Sequence, residues 1–428
     1  PAPSAPSESP TATKTVYKIA DLVSLAETNN FELTKNRTEY DKAEADVDTA
    51  RSKLLPKLSL ESTNLYRFEP STQWTSQTGL VIEQTLFNGG KDWMEFARGQ
   101  AKRDRLKLSA QHAKEVMSLE VIKALAECSA SENQLSAARK KLALLEQQFD
   151  IVNRQFRQGL KNQRDYQLLE ADVELQRLSV EKLQGEAYTV YRDLEKVIGA
   201  EGMGLDESKV TLLTGEKILQ LAQWKLEQIT YNPGQESLEL KALAREVDER
   251  ELAYNQARLQ YVPTLSLLAS ATYGTHTYLG TSNTTNPWRE NLGWNSAVGV
   301  NLSWTLWDWG GVPAKVAWAR ADKVLEETRL NQKKVDVKSD FRSLKQSIER
   351  QLRILEVRSR VRDLEQRSFD NIQKEYREGR AGYLDLINAL NRSVDSETNF
   401  QIEALSYFTS VAELFKLKGS LYDKAKSL

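Results

Sequence analysis

Two hydrophobic periods alternate along the chain, and each occurs twice. From Lys91 to about Gln158 there is no proline, and the only glycine is Gly99. Leu135, Ala138, Leu142, Leu145, Phe149, Val152 and Phe156 recur at spacings of three and four, the signature of a coiled-coil seam. A helix over 91–158 would span about 100 Å at 1.5 Å per residue. From Leu169 to Val197 the same alternation continues through Val173, Val180, Leu183, Ala187, Val190 and Leu194, with Gln176 as one polar interruption. That predicts a second helix over 163–200. Between the two stands Arg157-Gln158-Gly159, a helix stop with glycine placed for a left-handed cap, and the short gap makes the helices antiparallel neighbours. The later chain predicts the same pair over 312–378 and 384–416, where Ile354, Val357, Val361 and Leu364 form a 3-4-3 run.

The second period is that of a strand. Val298, Val300, Leu302, Trp304 and Leu306 alternate with Gly299, Asn301, Ser303 and Thr305. Leu265, Leu267, Ala269, Ala271 and Tyr273 alternate with small residues in the same way, Leu268 being the exception. Leu80, Ile82 and Leu86, and before them Leu58, Leu60, Tyr66 and Phe68, repeat the pattern more weakly. Four strands follow, at about 57–69, 77–87, 264–277 and 294–307. Each is about ten residues, the length of a tilted membrane strand. Tyr66, Phe68, Trp74, Phe87, Tyr273, Tyr278, Trp288, Trp294, Trp304, Trp307 and Trp309 collect at the strand ends, as interfacial girdles do. Soluble hairpins packed on the helices would also alternate, so the pattern leaves both environments open.

The chain is one unit written twice. Thr85-Leu86-Phe87-Asn88-Gly89-Gly90 matches Thr305-Leu306-Trp307-Asp308-Trp309-Gly310 at an offset of 220 residues. The same offset relates Phe149-Asp150 to Phe369-Asp370, Phe156-Arg157-Gln158-Gly159 to Tyr376-Arg377-Glu378-Gly379, and Asp165 to Asp385. Residues 50–60 match 257–267 at an offset of 207. The organisation expected is a disordered segment at 1–16, a first repeat at 17–200 opening with a helix over 31–55, a linker at 201–232 rich in Gly and Pro, a second repeat at 233–420 and a tail at 421–428. Pro56 and Pro263 stand where helix must give way to strand. The opening run PAPSAPSESPTATKT, which lacks Met, fits either a cleaved export signal or a trimmed end.

Composition then narrows the chemistry. The 428 residues carry 59 Lys+Arg against 60 Asp+Glu, which offers no bulk attraction to nucleic acid. Two histidines, His112 and His276, and the single Cys128 leave no intrachain disulfide and nearly exclude a Cys/His zinc site. No Gly-rich phosphate loop, metal-ligand cluster or nucleophile–histidine pair is present, so neither a cofactor nor catalysis is expected. No uninterrupted apolar run reaches the length of a membrane helix.

Counting strands demands a partner. Four strands cannot close a barrel, and open edges are not tolerated in hydrocarbon. Two chains would give eight strands with a filled interior, and three would give twelve around an open lumen. The 25-residue and 38-residue helices stacked end to end match the long helix within a turn or two, which predicts a tube walled by continuous and stacked helices. A passive export duct, a soluble coiled-coil scaffold or tether, and a diffusion porin are the readings considered. The first best uses both patterns, because long coiled coils have no use in a porin.

These residues resemble the TolC family of outer-membrane efflux and secretion ducts. The resemblance covers roughly 17–420 and rests on the doubled order helix, Pro, two strands, T-L-F/W-N/D-x-G, long helix, F/Y-R-x-G-x5-D, helix. It implies an α plus membrane β-barrel fold: a homotrimer with a 12-stranded barrel in outer-membrane lipid of a Gram-negative bacterium, a helical tunnel in the periplasm, and a collar at the linker. It also implies docking to a periplasmic adaptor (membrane fusion) protein and an inner-membrane pump of RND or ABC type, serving efflux or type I secretion. Val298, Val300, Leu302 and Trp304 would then face lipid. The tips, turning at Gly159 and Gly379, would close like an iris through polar links and an acidic ring. Asp385 matches the first ring acid, while Asn388 replaces the second and weakens the ring. Tyr376 and Asp165 match a linking pair whose arginine position is Ala381 here, with Arg380 beside it. Asp165 and Asp385 also suit plain helix caps after a turn.

Overall fold

The computed structural model describes residues 16–67, 73–160, 162–221, 237–275 and 292–427, with backbone alone at 65–67, 73–75, 165, 220–221, 275 and 292. The order is α1 (Ile19–Asn29), α2 (Phe31–Ser52), β1 (Lys57–Arg67), β2 (Gln73–Phe87), α3 (Lys91–Arg157), α4 (Gln163–Ile198) and α5 (Gly215–Leu221). It continues with α6 (Leu238–Arg258), a 3-10 turn (Leu259–Tyr261), β3 (Thr264–Thr275), β4 (Leu292–Ser303), α7 (Gly311–Arg377), α8 (Tyr383–Lys418) and α9 (Leu421–Lys426). Phe68, His276, Tyr278 and Trp288, most of the segment expected to be disordered at 1–16, 222–232 of the linker and 233–236 at the start of the second repeat lie outside the described residues.

Helix ends obey the repeat. Gly159, Gly379, Gly199 and Gly419 all take positive φ, and 159/379 and 199/419 are each 220 apart. At each end the residue after the glycine closes a six-residue turn: Leu160 N–H donates to Gln155 O at 2.8 Å, Arg380 to Glu375 O at 2.8 Å, Ala200 to Glu195 O at 3.0 Å and Ser420 to Phe415 O at 3.0 Å. Glycine alone adopts that geometry without a Cβ clash, which is why these helices stop where they do. Pro313 sits in the first turn of α7, where a missing N–H costs nothing.

The chain divides into two compact units. The first comprises 1–35, 110–238 and 334–428, the second 36–109 and 239–333. The first unit holds the main core. Leu22 and Val23 of α1, Val121, Ile122 and Leu125 of α3, Leu194 of α4, Ile218 of α5, Leu355 of α7 and Phe400 of α8 are all buried there. Polar side chains from the long helices satisfy the backbone of the linker: Ser129 Oγ accepts from Leu213 N–H at 2.9 Å, Gln401 Oε1 from Gly215 N–H at 2.7 Å and Glu195 Oε1 from Leu205 N–H at 2.7 Å. Such pairing is what lets an irregular segment be buried. The buried Glu115 carboxylate likewise accepts from Leu421 N–H at 2.7 Å and Tyr422 N–H at 3.1 Å, docking α9.

The second unit holds one antiparallel sheet in the order β1-β2-β3-β4. Several boundaries differ from the sequence reading; the second strand, read as 77–87, already begins at Gln73, where it pairs with Arg67. The alternation carries the fourth strand to 307, whereas β4 stops at Ser303, opposite Thr264, where β3 begins after Pro263. Beyond 303 no ladder partner remains, and Trp304 donates its indole N–H to Tyr261 O at 3.0 Å instead. The first helix, read as 31–55, ends at Ser52 and is preceded by a separate α1. Asn30 makes that break: its Oδ1 caps α2 by accepting from Glu32 N–H at 2.9 Å and Leu33 N–H at 3.1 Å.

Candidate functional site

Two features of the fold bear on function, the hairpin tips and one face of the sheet. At the tips, α3 turns at Gly159 into α4, and α7 turns at Gly379 into α8. Leu145, Val152, Leu169 and Val173 pack inside the first hairpin, and Phe369, Leu386, Ala389 and Leu390 inside the second. Tyr383 and Ile387 of α8 reach the first cluster, and Leu144 of α3 reaches the second, so the tips lie side by side. Below the first turn Tyr166 stacks on Phe156 at 5.0 Å and meets Phe149 in a tilted contact at 5.4 Å between ring centroids. Gln176, the polar break in the seam, is buried and donates to Ala138 O at 3.1 Å, which ties α4 to α3 in a fixed register.

The residues named from sequence fall here as follows. Asp385 accepts from Gly382 N–H at 3.0 Å, capping α8, and is exposed. Arg380 is exposed and pairs with Glu378 within the turn. Asn388 is exposed on the next turn of α8, and Tyr376 packs half-buried against the second cluster. Asp165 lies in the first turn of α4, and its side chain is outside those described.

One link between the hairpins was not foreseen. The Tyr383 hydroxyl donates to Asp172 Oδ2 at 3.3 Å. Burial, and then the carboxylate beside it, pushes the phenol well above its ordinary value, so it stays a donor. Both residues lie seven positions beyond the expected pair, Tyr376 and Asp165. Asp172 lies one heptad beyond Asp165 on the same helix, whereas Tyr376 ends α7 and Tyr383 opens α8 across the Gly379 turn, so spacing along the chain held no signal for this pair.

The sheet face follows from the register. Leu58, Ile82, Ala269 and Val298 stand in one row across the four strands, and Leu60, Leu80 and Ala271 in another. Val300 pairs with Leu267, and Leu302 with Leu265, on the same side. The opposite side shows Lys57 paired with Glu83, and Ser266 paired with Asn301. Val298 is 77% exposed, and Leu58, Leu60, Val300, Leu302 and Trp304 are exposed with it. Among the described residues, β1 and β4 each present one edge with no strand partner.

Comparison with known proteins places this geometry. The family model described as outer membrane efflux protein matches residues 22–200 and 234–420, the two repeats in turn. The chain belongs to that family. The family is one of outer-membrane transport channels and not an enzyme family, which supports a non-enzyme reading. Outer membrane protein TolC of Salmonella enteritidis is 22% identical over 419 residues, covering 93% of this chain and 81% of the relative. The Campylobacter jejuni CmeC outer membrane channel superposes with a TM-score of 0.79 at 14% identity, covering 94% of this chain and 85% of that one. Outer membrane protein VceC of Vibrio cholerae superposes at 0.74 and 15% identity, covering 94% and 96%. The fold is that of these channels: long helices with a four-stranded antiparallel sheet.

Proposed function

We propose that three copies of this chain assemble into a channel-tunnel that passively conducts substrates from a periplasmic adaptor and an inner-membrane RND or ABC-type pump to the exterior of a Gram-negative cell. Four strands from each copy close a 12-stranded barrel in the outer membrane, and most of the protein's mass stands in the periplasm. The observation that carries this reading is the sheet: an apolar face left exposed, with two open edges. Open edges are tolerated in hydrocarbon only when a second chain pairs with them. An exposed apolar face is likewise a liability in water. A soluble tether would bury both. The helices support the same reading, because Leu168, Leu175 and Leu178 of α4 and Val357 and Leu364 of α7 form second apolar stripes exposed in the single chain.

Light scattering with detergent correction tests the assembly, and three chains per particle is the expected mass. In this reading the tips are the gate. Asp165, Tyr376 and Arg380 link neighbouring hairpins, Asp385 lines the constriction with Asn388 diluting its charge, and Gly159 and Gly379 are the turns. Tyr376→Phe with Asp165→Ala then raises single-channel conductance in planar bilayers, whereas Asp385→Ala mainly lowers cation selectivity. Wild-type conductance and selectivity in both variants would reduce these residues to packing and caps.

A further inference from the structure

Between α3, α7 and α8, within the first unit, lies a cleft of about 630 Å³. Small-molecule sites run from about 300 to 1,000 Å³, so the space is that of a ligand. Its lining residues belong neither to the hairpin tips nor to the sheet, so gating and the apolar face leave it unexplained.

Three tiers of side chains line the cleft, and two contacts fix their levels. α7 and α8 are antiparallel, and Gln351 donates its side-chain N–H to Ser406 Oγ at 3.1 Å, which sets those residues side by side. Seven residues farther from the tips on both helices, Leu344 stands level with Glu413. There the Lys123 ammonium of α3 meets the Glu413 carboxylate at 2.5 Å, so the charges of this middle tier satisfy each other. Eleven residues from the same reference, Asp340 stands level with Leu417, and Leu119 of α3 closes this upper tier. The lower tier holds Ser347 and Arg350.

The outer tiers keep unmatched charge. Arg350 is exposed and donates to Ser347 Oγ at 3.4 Å, which leaves most of its N–H groups for another acceptor. The Ser347 hydroxyl accepts that bond and keeps its own proton to give. At the other end the Asp340 carboxylate makes no ion pair among the described residues; the Ser343 hydroxyl donates to the Asp340 backbone carbonyl instead, at 3.0 Å. Ten residues separate Asp340 from Arg350, about 15 Å along the helix. Leucines from all three helices, Leu119, Leu344 and Leu417, supply apolar wall between them.

That arrangement discriminates among ligands. A simple anion would gain Arg350 but meet Asp340. A polyamine would gain Asp340 but meet Arg350 and Lys416, and a fatty acid would leave Asp340 unused. Both ends are satisfied by a molecule with a carboxylate at one end, an ammonium at the other and an apolar body about 15 Å long that also takes hydrogen bonds. An extended peptide advances about 3.3 Å per residue, so about four residues span the distance.

We propose that this cleft binds a short zwitterionic peptide of about four apolar residues. Its terminal carboxylate sits on Arg350 and Ser347, its terminal ammonium sits on Asp340, and Lys416 donates to its carbonyls. The inference goes beyond the channel reading and stands whether or not the barrel closes, because every lining residue lies in the first unit.

The test uses the full chain in detergent and titration calorimetry with the tetrapeptide alanyl-leucyl-leucyl-alanine. The free peptide should bind with a Kd below about 1 mM. Its C-terminal amide lacks the carboxylate and its N-acetyl form lacks the ammonium, and each should bind at least about tenfold more weakly. Arg350→Met should abolish the difference between free and amidated peptide while keeping that between free and acetylated peptide, and Asp340→Asn should do the converse. Loss of this crossed pattern in folded variants would overturn the proposal. So would a Kd above about 1 mM, or a smaller spread among the three peptides. Those two results are read on the unaltered protein and decide even where a variant fails to fold. Ser343→Cys asks whether a second copy fills the cleft. Cys128 is fully buried and burial pushes its thiol up to about 12, so it stays silent towards maleimide at neutral pH. Labelling of the Ser343→Cys protein in the assembled particle is expected. Labelling only after dissociation would give the cleft to a subunit contact and overturn the peptide site.

Discussion

The long helices α3 and α7 carry the same 3-4 spacing and end in the same glycine turn, yet they use the pattern differently. On α3, Leu135, Ala138, Leu145 and Val152 are buried within the chain, Leu145 to 3%. On α7, the run Ile354, Val357, Val361 and Leu364 is exposed, Leu364 to 63%, while Ile348, Leu355 and Phe369 on another face do the packing. The sheet repeats the contrast, because Leu58, Leu60, Val298, Val300 and Leu302 are exposed while Leu22, Leu125 and Leu194 of the first unit's core are fully enclosed. Apolar residues of one kind thus fall into two classes, those completed by the protomer and those that await another surface. Mutations that tell the classes apart sharpen the comparison.

The largest effect belongs to the completed class. Phe400 is 0% exposed and is crossed by the Arg362 guanidinium 4.3 Å from its ring centroid. Phe400→Ala should cost about 3–5 kcal/mol, read as a lowered denaturant midpoint. Next is the awaiting class. Val300→Arg or Leu302→Arg should cost about 2–4 kcal/mol in membrane assembly, whereas Asn301→Arg, on the opposite face, should be tolerated. Equal damage at all three positions would break the comparison.

Smaller effects test the joints. Tyr383→Phe removes the hydrogen bond to Asp172 and should cost about 1 kcal/mol, with a double-mutant cycle against Asp172→Asn returning a coupling of similar size. A last effect appears only against pH. Burial, with Glu207 beside it, raises Glu132 to about 7 from 4.5. The folded protein therefore holds that proton more tightly than the unfolded chain. Its stabilising contribution is full below pH 4.5 and is lost as pH rises through about 7. Glu132→Gln should flatten that fall in melting temperature and melt higher than wild type at pH 8. Glu27 has the opposite sign. Burial raises it, but hydrogen bonds from Lys114, Lys426 and Tyr422 outweigh this and bring it to about 2, so its contribution is lost only in acid.

Most of the architecture was legible in the residues because its signals are local. Heptad spacing, strand alternation, Pro56 and Pro263, and the offset of 220 are all read along the chain. What was missed depends on neighbours remote in sequence. β4 ends at Ser303 because its partner strand begins at Thr264, which no alternation within 294–307 reveals. The break at Asn30 needed one side chain to cap α2, and the seam read on α7 is the apolar stripe left exposed rather than the one packed. At the tips the glycine turns were legible from spacing alone. The Tyr383 link to Asp172 was not, since its partners lie 211 residues apart.

Closure of the sheet across copies is the central claim, and amide hydrogen exchange on the protein in bilayers tests it most directly. β2 and β3 have strand partners on both sides within one chain, whereas β1 and β4 each have one. If β4 of one copy pairs with β1 of the next, the outward amides of Leu58–Asn64 and Ala297–Leu302 should be as protected as those of β2 and β3. Rapid exchange confined to those two edges, with β2 and β3 protected, would contradict a closed barrel.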